Sequence, residues 1–350
     1  MLITIVDSAL LSVPTYGEDE DAVHRVLGNL VGWARAVRGD SPIKLAKLSD
    51  TDEVLLECGC WPIHDQIEEW LAFFGLQEVF AVKDLANSYL SISRAAIPLE
   101  ESTVELTVVD NVVVSPNILA GHGPASLVKH SEKVYSNAAA SFTAATHLKA
   151  VASGIPQLQA SSVKVVGSAV SLSDTNIAAP VKFKGTAKLL NSIDDLGTAI
   201  RALDLWNTAT GVQDIYLAIT VRAAQIANAM GCAGNLRNLR SFSLGSEFYG
   251  SLPKIQASPG QPKAKTALEA CARVVASAPK YPLHPMGKPK QSKRQRDGAS
   301  ALRTHISKKH EAPRLMLWET ADQLEFANVG TKFELVIEEG ALGNEFTYAW

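Results

Sequence analysis

Apolar positions in the first hundred residues recur every three or four residues, a spacing typical of amphipathic helices. The pattern is clearest in residues 19–39, 61–76 and 82–96. Short connections separate these segments, as they do between neighbouring helices of one domain. The pattern therefore predicts a helical N-terminal domain over residues 1–100.

The pattern changes between residues 101 and 240, where runs rich in β-branched residues alternate with helical segments. Strand-like runs occupy residues 103–115, 161–172 and 180–187. Helices are predicted over residues 123–154, 191–206 and 211–231. Because strands that alternate with helices are typical of layered α/β folds, we predict an α/β layer domain over residues 101–240.

The last part of the chain, residues 241–350, combines two helical segments with a series of short strands. The helical segments span residues 247–255 and 265–278, and a linker rich in proline, glycine and lysine spans residues 279–300. Four strand-like runs follow, at residues 301–308, 313–320, 324–330 and 333–339. These runs predict an antiparallel β-meander. The fold class expected for the whole chain is α/β, or α+β overall.

The composition indicates a folded protein in a reducing environment. Hydrophobic residues make up 47% of the chain and charged residues 20%, which allows a sizeable core. Four cysteines in 350 residues are too few for a disulfide scaffold. The sequence contains no apolar run of ~18 residues and no positively charged signal peptide. We expect a cytoplasmic protein without a membrane partner.

Positive charge is concentrated near the end of the chain. Residues 280–309 contain nine lysines and arginines and one acidic residue, Asp297, which gives this stretch a charge of +8. Because the net charge of the chain is −3, the remaining residues together carry −11. Clustered lysine and arginine attract phosphate backbones by releasing counterions. The cluster therefore predicts a nucleic-acid-binding site in the basic segment 280–314.

The candidate phosphate-binding residues are the cations of this basic segment. They are Lys288, Lys290, Lys293, Arg294, Arg296, Arg303, Lys308, Lys309 and Arg314. Arg303 and His305 alternate with apolar residues, so both side chains project from one face of a strand. Arg314 on the next strand can join them across the ladder. The plainer interpretation is a solvated basic loop that keeps the chain soluble or docks onto an acidic protein.

Other motifs give weaker signals. The stretch "CGCWPIH" brings Cys58, Cys60 and His64 close together, but it lacks a fourth ligand and the spacing of common zinc sites. The stretch "GHGPAS" at residues 121–126 lacks the third glycine of a dinucleotide-binding turn. P-loop, zincin and α/β-hydrolase motifs do not occur in the sequence. We expect neither a bound metal nor a cofactor.

The stretch "ALRTHISKKHEAPRLMLWE", preceded by two helices, resembles the compact RelE/HigB-type toxin fold. The resemblance covers the last third of the chain. It is carried by the apolar run 315–318 and by Arg303, His305, Lys308, Lys309 and Arg314. In that family, a sheet face rich in arginine, lysine and histidine holds RNA and cleaves it without a metal. The resemblance implies catalytic roles for His305, Arg303 and Arg314.

The chain as a whole also resembles bacterial phage-defence-associated proteins, which implies a place in a multi-protein defence system. Our first hypothesis is a nucleic-acid-binding component of such a system, which contacts DNA or RNA phosphates through the basic segment. The second is a metal-independent RNase of the RelE type. The third is a structural adaptor that docks onto an acidic protein partner. The sequence alone leaves all three open.

Overall fold

The structure is a computed structural model that describes most of the chain. The described residues are 1–13, 19–121, 123–140, 147–155, 161–171, 174–232, 236–287, 293–308, 312–334, 336–341 and 343–350. They form two compact units, Leu2–Ala199 and Ile200–Trp350, and Met1 belongs to the second. The predicted α/β fold class is confirmed, because both units combine helices with a mixed β-sheet.

The first unit contains seven strands and seven α-helices among its described residues. The strands are β1 (Leu2–Val6), β2 (Lys44–Lys47), β3 (Ile97–Pro98), β4 (Val108–Ser115), β5 (Leu148–Ala152), β6 (Ser162–Val170) and β7 (Val181–Leu190). The helices are α1 (Ser8–Leu11), α2 (Glu20–Ala36), α3 (Thr51–Glu57), α4 (His64–Phe73), α5 (Val82–Ala95), α6 (Ala125–Ala139) and α7 (Leu196–Ala199).

The second unit contains six strands and four α-helices within the part that the structure describes. The strands are β8 (Phe242–Leu244), β9 (His284–Pro285), β10 (Ser300–His305), β11 (Arg314–Glu319), β12 (Leu324–Gly330) and β13 (Phe346–Thr347). The helices are α8 (Ala202–Asn207), α9 (Val212–Ala229), α10 (Phe248–Ser251) and α11 (Ala264–Val275).

The sheet of the first unit has the strand order β3-β2-β1-β5-β7-β6-β4. Strand β1 pairs in parallel with β2 and β5, and β5 pairs in parallel with β7. The last two strands, β6 and β4, are antiparallel to their neighbours. All five residues of β1, the run "LITIV", are buried, as expected for a parallel strand covered on both faces.

This sheet joins segments that the hydrophobic pattern assigns to different domains. Strands β1, β2 and β3 come from residues 1–100, and β1 pairs with β5 from residues 101–240. The two units therefore group the chain differently from the predicted three domains, whose boundaries lie near residues 100 and 240. Strands as short as the "KLAK" of β2 are too brief to stand out between amphipathic helices.

The alanine-rich helix predicted over residues 123–154 is shorter in the structure. Helix α6 ends at Ala139, and strand β5 occupies part of the predicted helix. Ala150 and Val151 of β5 are completely buried in the sheet, where Val151 pairs with both β1 and β7. Burial at the sheet centre outweighs helix propensity, which differs by less than ~1 kcal/mol between ordinary residues.

The sheet of the second unit has the strand order β13-β8-β12-β11-β10-β9. Strands β10, β11 and β12 are successive antiparallel neighbours and form the predicted meander. The fourth predicted strand, over residues 333–339, does not occur in the described part of that segment. Instead, the side chain of Asn328 accepts a hydrogen bond from the N–H of Glu338 and donates one to the carbonyl of Val336. These bonds satisfy backbone groups that otherwise need a strand partner.

The two faces of this second sheet differ in character. On one face, the ring of Phe326 lies 5.8 Å from the rings of Phe242 and Phe248. Tyr216 of α9 stacks on Phe242 at 4.2 Å and extends this aromatic core. The opposite face has a smaller apolar cluster around Trp318. Beyond that cluster, β10 and β11 continue into charged residues near the turn that joins them.

Asp7 follows β1 at the carboxyl edge of the parallel strands of the first unit and is fully buried. It accepts hydrogen bonds from the hydroxyl of Ser131 at 2.7 Å and from the N–H of Ala9 at 3.2 Å. Burial raises the pKa of the Asp7 carboxyl, although these hydrogen bonds act in the opposite direction. The folded protein therefore holds the Asp7 proton more tightly than the unfolded chain does.

We predict that the stability of the Asp7→Asn variant relative to the native protein increases as pH rises. The stability due to protonated Asp7 is fully present below its ordinary pKa of 3.8 and is lost as pH rises through the raised pKa of the folded state. Asparagine keeps the acceptor oxygen and carries no charge. The difference in unfolding free energy should therefore grow by up to ~1.4 kcal/mol per pH unit in this window. Urea unfolding measured at several pH values tests this, and a difference that stays constant with pH would contradict it.

Candidate nucleic-acid interface

Strand pairing brings three predicted site residues together at one end of the second sheet. In the register of β10 and β11, His305 lies directly opposite Arg314, and Arg303 lies opposite Met316. Directly opposite residues share one face of an antiparallel pair, and so do alternate residues of one strand. Arg303, His305 and Arg314 therefore lie on the same face. Strand β9 adds His284, which pairs with Arg303.

The surroundings of His305 favour its neutral form. Burial lowers the pKa of its imidazole most, and the charges of Arg314, Lys308, His284 and Arg303 lower it further. Its Nδ1 atom is buried and has no hydrogen-bond partner among the described residues, and the same is true of Nε of Arg314. A buried polar atom without a partner costs ~1–3 kcal/mol, so this end of the sheet holds unsatisfied hydrogen-bonding groups.

A cavity of about 330 Å³ opens beside His305. Helices α9 and α11, the segment before β9 and the end of β10 form its walls. Four of its lining residues are positively charged and one, Glu269, is negatively charged, so the lining carries +3 when His305 is neutral. The positively charged residues are Arg222, Lys265, Arg273 and Lys280.

Glu269 fixes the two arginines of this cavity. The Nε atoms of Arg222 and Arg273 both donate hydrogen bonds to its carboxylate, each at 2.7 Å. Burial by itself would raise the pKa of Glu269, but the hydrogen bonds and charges of the two arginines outweigh burial and lower it. Nη1 of Arg222 also donates a hydrogen bond to the side chain of Gln225 at 3.3 Å. The remaining terminal N–H groups of the two arginines can donate to phosphate or carboxylate oxygens.

Tyr281 provides an aromatic wall, and we name the site the Tyr281 cavity. The centre of its ring lies 5.5 Å from Nζ of Lys280 and 5.0 Å from Nζ of Lys308. The ring meets that of His305 edge-on, with 6.0 Å between the ring centres. The carbonyl of Tyr281 accepts a hydrogen bond from the hydroxyl of Thr304 at 2.9 Å, which ties it to β10. Proteins bind single-stranded nucleic acids with such combinations of aromatic rings and cations.

The structure corrects the prediction that Arg294 and Arg296 offer their charges to phosphate. Arg294 is only 3% exposed, and its guanidinium contacts Asp297 at 2.6 Å and Glu325 at 2.8 Å. It also lies over the ring of Trp318, 5.1 Å from the ring centre. Arg296 contacts Glu325 at 2.9 Å. Both arginines neutralise a buried carboxylate, because their turn folds back onto the sheet.

The predicted lysines lie in different places. Lys308 is beside the Tyr281 ring, whereas Lys293 is exposed and donates a hydrogen bond to the hydroxyl of Ser300 at 2.8 Å. The positions outside the described residues are Lys288, Lys290 and Lys309. Of the predicted site, the structure therefore brings Arg303, His305, Lys308 and Arg314 together.

Sequence reasoning missed the helical half of the Tyr281 cavity. Lys265, Glu269 and Arg273 recur every four residues along α11, so they share one face of the helix. This spacing is the sequence signal that marks the charged face. Arg222 has the spacing of a core-edge position on α9, and its partner Glu269 lies 47 residues away. No local pattern connects two positions so far apart.

Comparisons with protein families, with curated proteins and with solved structures find no match to this chain. In the part of the chain that the structure describes, every helix is too short or too polar to cross a membrane. Within those same residues, no three histidine, cysteine or acidic side chains are grouped so that they could hold a metal ion. The geometry of the Tyr281 cavity and the adjoining strand face is therefore the guide to function.

We predict that Arg294→Gln destabilises the protein by about 3–5 kcal/mol, because it removes one partner from the buried ion cluster around Glu325. Lys293→Gln is the matched control, since it removes the same charge one residue earlier at an exposed position. It should change the unfolding free energy by less than ~0.5 kcal/mol. Urea unfolding measures both variants. Equal unfolding free energies would mean that the ion cluster does not stabilise the fold.

Proposed function

We propose that the second unit binds a single strand of nucleic acid at the Tyr281 cavity and along the adjoining face of Arg303, His305 and Arg314. The main support for this proposal is an aromatic ring that lies near two ammonium groups in a cavity lined by four positively charged residues. Phosphates would contact the guanidinium and ammonium groups, and a base would stack on the ring.

The size of the cavity favours a single strand. Its volume of about 330 Å³ lies at the small end of ligand pockets, which measure ~300–1,000 Å³. In a duplex, each base stacks on its neighbours, and an aromatic side chain cannot reach its face. An unpaired base exposes that face, and stacking on it does not depend on sequence. We therefore expect DNA and RNA single strands to bind through the same contacts.

An acidic protein segment is the alternative ligand. Carboxylates also pair with guanidinium groups, so a structural adaptor explains the net charge of the cavity. It does not explain why the Tyr281 ring lies close to Lys280 and Lys308 and meets the His305 ring edge-on. The aromatic ring therefore favours nucleic acid.

The wider context of this binding is also part of the proposal. Resemblance to bacterial phage-defence-associated proteins supports a component of a multi-protein defence system. The low cysteine content supports a cytoplasmic location.

Substitutions of Tyr281 test the stacking contact. Tyr281→Ala should weaken the binding of a fluorescently labelled single strand by ~1–3 kcal/mol, about 5- to 150-fold, because a base loses its stacking partner. Tyr281→Phe keeps the ring and should bind like the native protein. Fluorescence anisotropy measures both affinities. The stacking role is wrong if the alanine variant binds as tightly as the phenylalanine variant.

A pair of lysine substitutions tests the phosphate contacts in the same assay. Lys265→Gln together with Lys280→Gln should lower the slope of log affinity against log salt by ~0.7 for each phosphate that the variant no longer neutralises. Lys293→Gln together with Lys332→Gln removes equal charge from the same unit outside the cavity and should leave the slope unchanged. Equal effects of the two pairs, or no binding of single strands at low salt, would overturn the proposed function. If polyglutamate displaces the labelled strand as effectively as an unlabelled oligonucleotide does, the result would favour the structural adaptor.

RNA cleavage is a second candidate, because a neutral His305 lies on one face with two guanidinium groups. A neutral imidazole can take the proton of a 2′-hydroxyl, whose oxygen then attacks the adjacent phosphorus. The bond from phosphorus to the 5′-oxygen breaks, and that oxygen takes a proton from water. Arg303 and Arg314 would stabilise the negative charge that develops on the phosphate oxygens.

We predict that His305→Asn slows any RNA cleavage ~10²–10⁴-fold and leaves the affinity for RNA almost unchanged. Because the pKa of His305 is lowered from 6.5, the cleavage rate of the native protein should rise with pH and level off above an apparent pKa below 6.5. A strand with deoxyribose at the cleaved position should bind and stay intact. If the native protein binds RNA without cutting it, the RNase hypothesis fails and the binding proposal stands.

A further inference from the structure

A second concentration of positive charge lies on the sheet of the first unit. Alternate residues of a strand point to opposite faces. Phe183 and Ala187 of β7 are buried, and a Cβ atom on Gly185 between them would lie 2.0 Å from the carbonyl oxygen of Ala139 in α6. Helix α6 therefore packs tightly against this face. The intervening residues of β7 point away from the helix.

The outward face of β6 and β7 carries four lysines, and we call it the lysine face. Lys182, Lys184 and Lys188 lie on β7, and Lys164 lies on β6 opposite Thr186. All four lysines are exposed. Among the described residues, none of their ammonium groups has a hydrogen-bond or ion-pair partner. These charges are thus uncompensated within the described part of the chain.

Hydroxyl groups and one acid surround these lysines. Ser162 and Ser168 of β6 pair with Lys188 and Lys182 of β7, and Asp110 of β4 pairs with Ser168. Four ammonium groups and one carboxylate give the described residues of this face a net charge of +3. The hydroxyl of Ser168 donates to the backbone carbonyl of Asp110 at 3.3 Å. The hydroxyls of Ser162 and Thr186 can donate hydrogen bonds to phosphate oxygens.

The lysines form a strip. Alternate residues of a strand lie ~7 Å apart and neighbouring strands ~5 Å apart, so Lys182 and Lys188 are separated by ~20 Å, with Lys164 one strand away. The described outward residues of β4, β6 and β7 include no aromatic ring on which a base could stack. A strip of positive charge without an aromatic ring can bind the phosphate backbone of a duplex, in which the bases are stacked inside and unavailable for stacking on a side chain.

We propose that the lysine face binds the phosphate backbone of double-stranded nucleic acid without reading its sequence. A duplex presents its phosphates outward and needs charge rather than stacking. Anionic membranes also attract lysines, but surfaces that bind membranes insert aromatic or leucine side chains. The apolar groups exposed on this face include the smaller side chains of Val113 and Val166, which favours a duplex over a membrane. The inference rests on the proposed function for its ligand class, whereas its residues are distinct from those of the Tyr281 cavity.

The test compares two variants of the full chain that lose equal charge from the same unit. The lysine-face variant carries Lys164→Gln, Lys182→Gln, Lys184→Gln and Lys188→Gln. The control variant carries Arg25→Gln, Arg38→Gln, Lys44→Gln and Lys83→Gln, all at exposed positions off this face. A third variant with arginine at the four lysine-face positions keeps the charge. Circular dichroism checks that each variant is folded.

Anisotropy titrations over a range of salt use a labelled duplex of about 30 base pairs and a labelled single strand. The lysine-face variant should lose at least ~10-fold in duplex affinity at low salt, and its salt slope should fall by ~0.9 for each phosphate that its side chains no longer neutralise. The arginine and control variants should bind the duplex like the native protein. All of the variants should bind the single strand within ~3-fold of the native protein, because its contacts lie at the Tyr281 cavity.

Different failures identify which proposal is wrong. If the native protein binds single strands but duplex binding is the same in the lysine-face and control variants, only this inference is overturned. If the native protein binds neither probe, the proposed function fails and this inference fails with it. Vesicles that contain phosphatidylserine are the third probe. If the lysine-face variant loses vesicle binding but keeps duplex binding, the surface faces a membrane and the inference is wrong.

Discussion

The alternation of side chains along β-strands decides where this protein displays positive charge on its surface. A strand that packs one face against the core exposes the other, so the charge of every second residue is displayed together. In the second unit, this constraint puts Arg303 and His305 on one face and buries Leu302 and Ile306. In the first unit, it does the same for the lysines of β7, which alternate with buried residues.

The arginines of the second unit show how the position of a carboxylate changes the use of a cation. Glu325 is almost fully buried and takes up the charges of Arg294 and Arg296, so these arginines serve the fold. Glu269 is only half-buried and binds its two arginines through Nε, which leaves most of their outer N–H groups available. Burying an ion pair costs desolvation energy, whereas holding one at a surface preorganises it for a ligand at lower cost.

Much of this arrangement could be predicted from the sequence, and the rest depends on long-range contacts. The α/β class, the meander and the shared face of Arg303 and His305 follow from local periodicity. Charge alone could not reveal that Arg294 is internal, because its partner Glu325 lies on a strand 31 residues away. The same limit hid the pairing of β1 with β5, which decides that Leu148–Ala152 is a strand. Periodicity reports which face of an element is apolar, and it does not report which element covers that face.

Gly185 makes the two sides of the β7 surface unequal in their freedom to evolve. Any side chain at this position would meet the backbone of Ala139, and α6 would have to withdraw from the sheet by about 1 Å. The exposed lysines on either side can be gained or lost one at a time with little effect on the fold. The helix–sheet contact therefore tolerates no side chain at Gly185, while the charge on the reverse side can change in single steps without disturbing that contact.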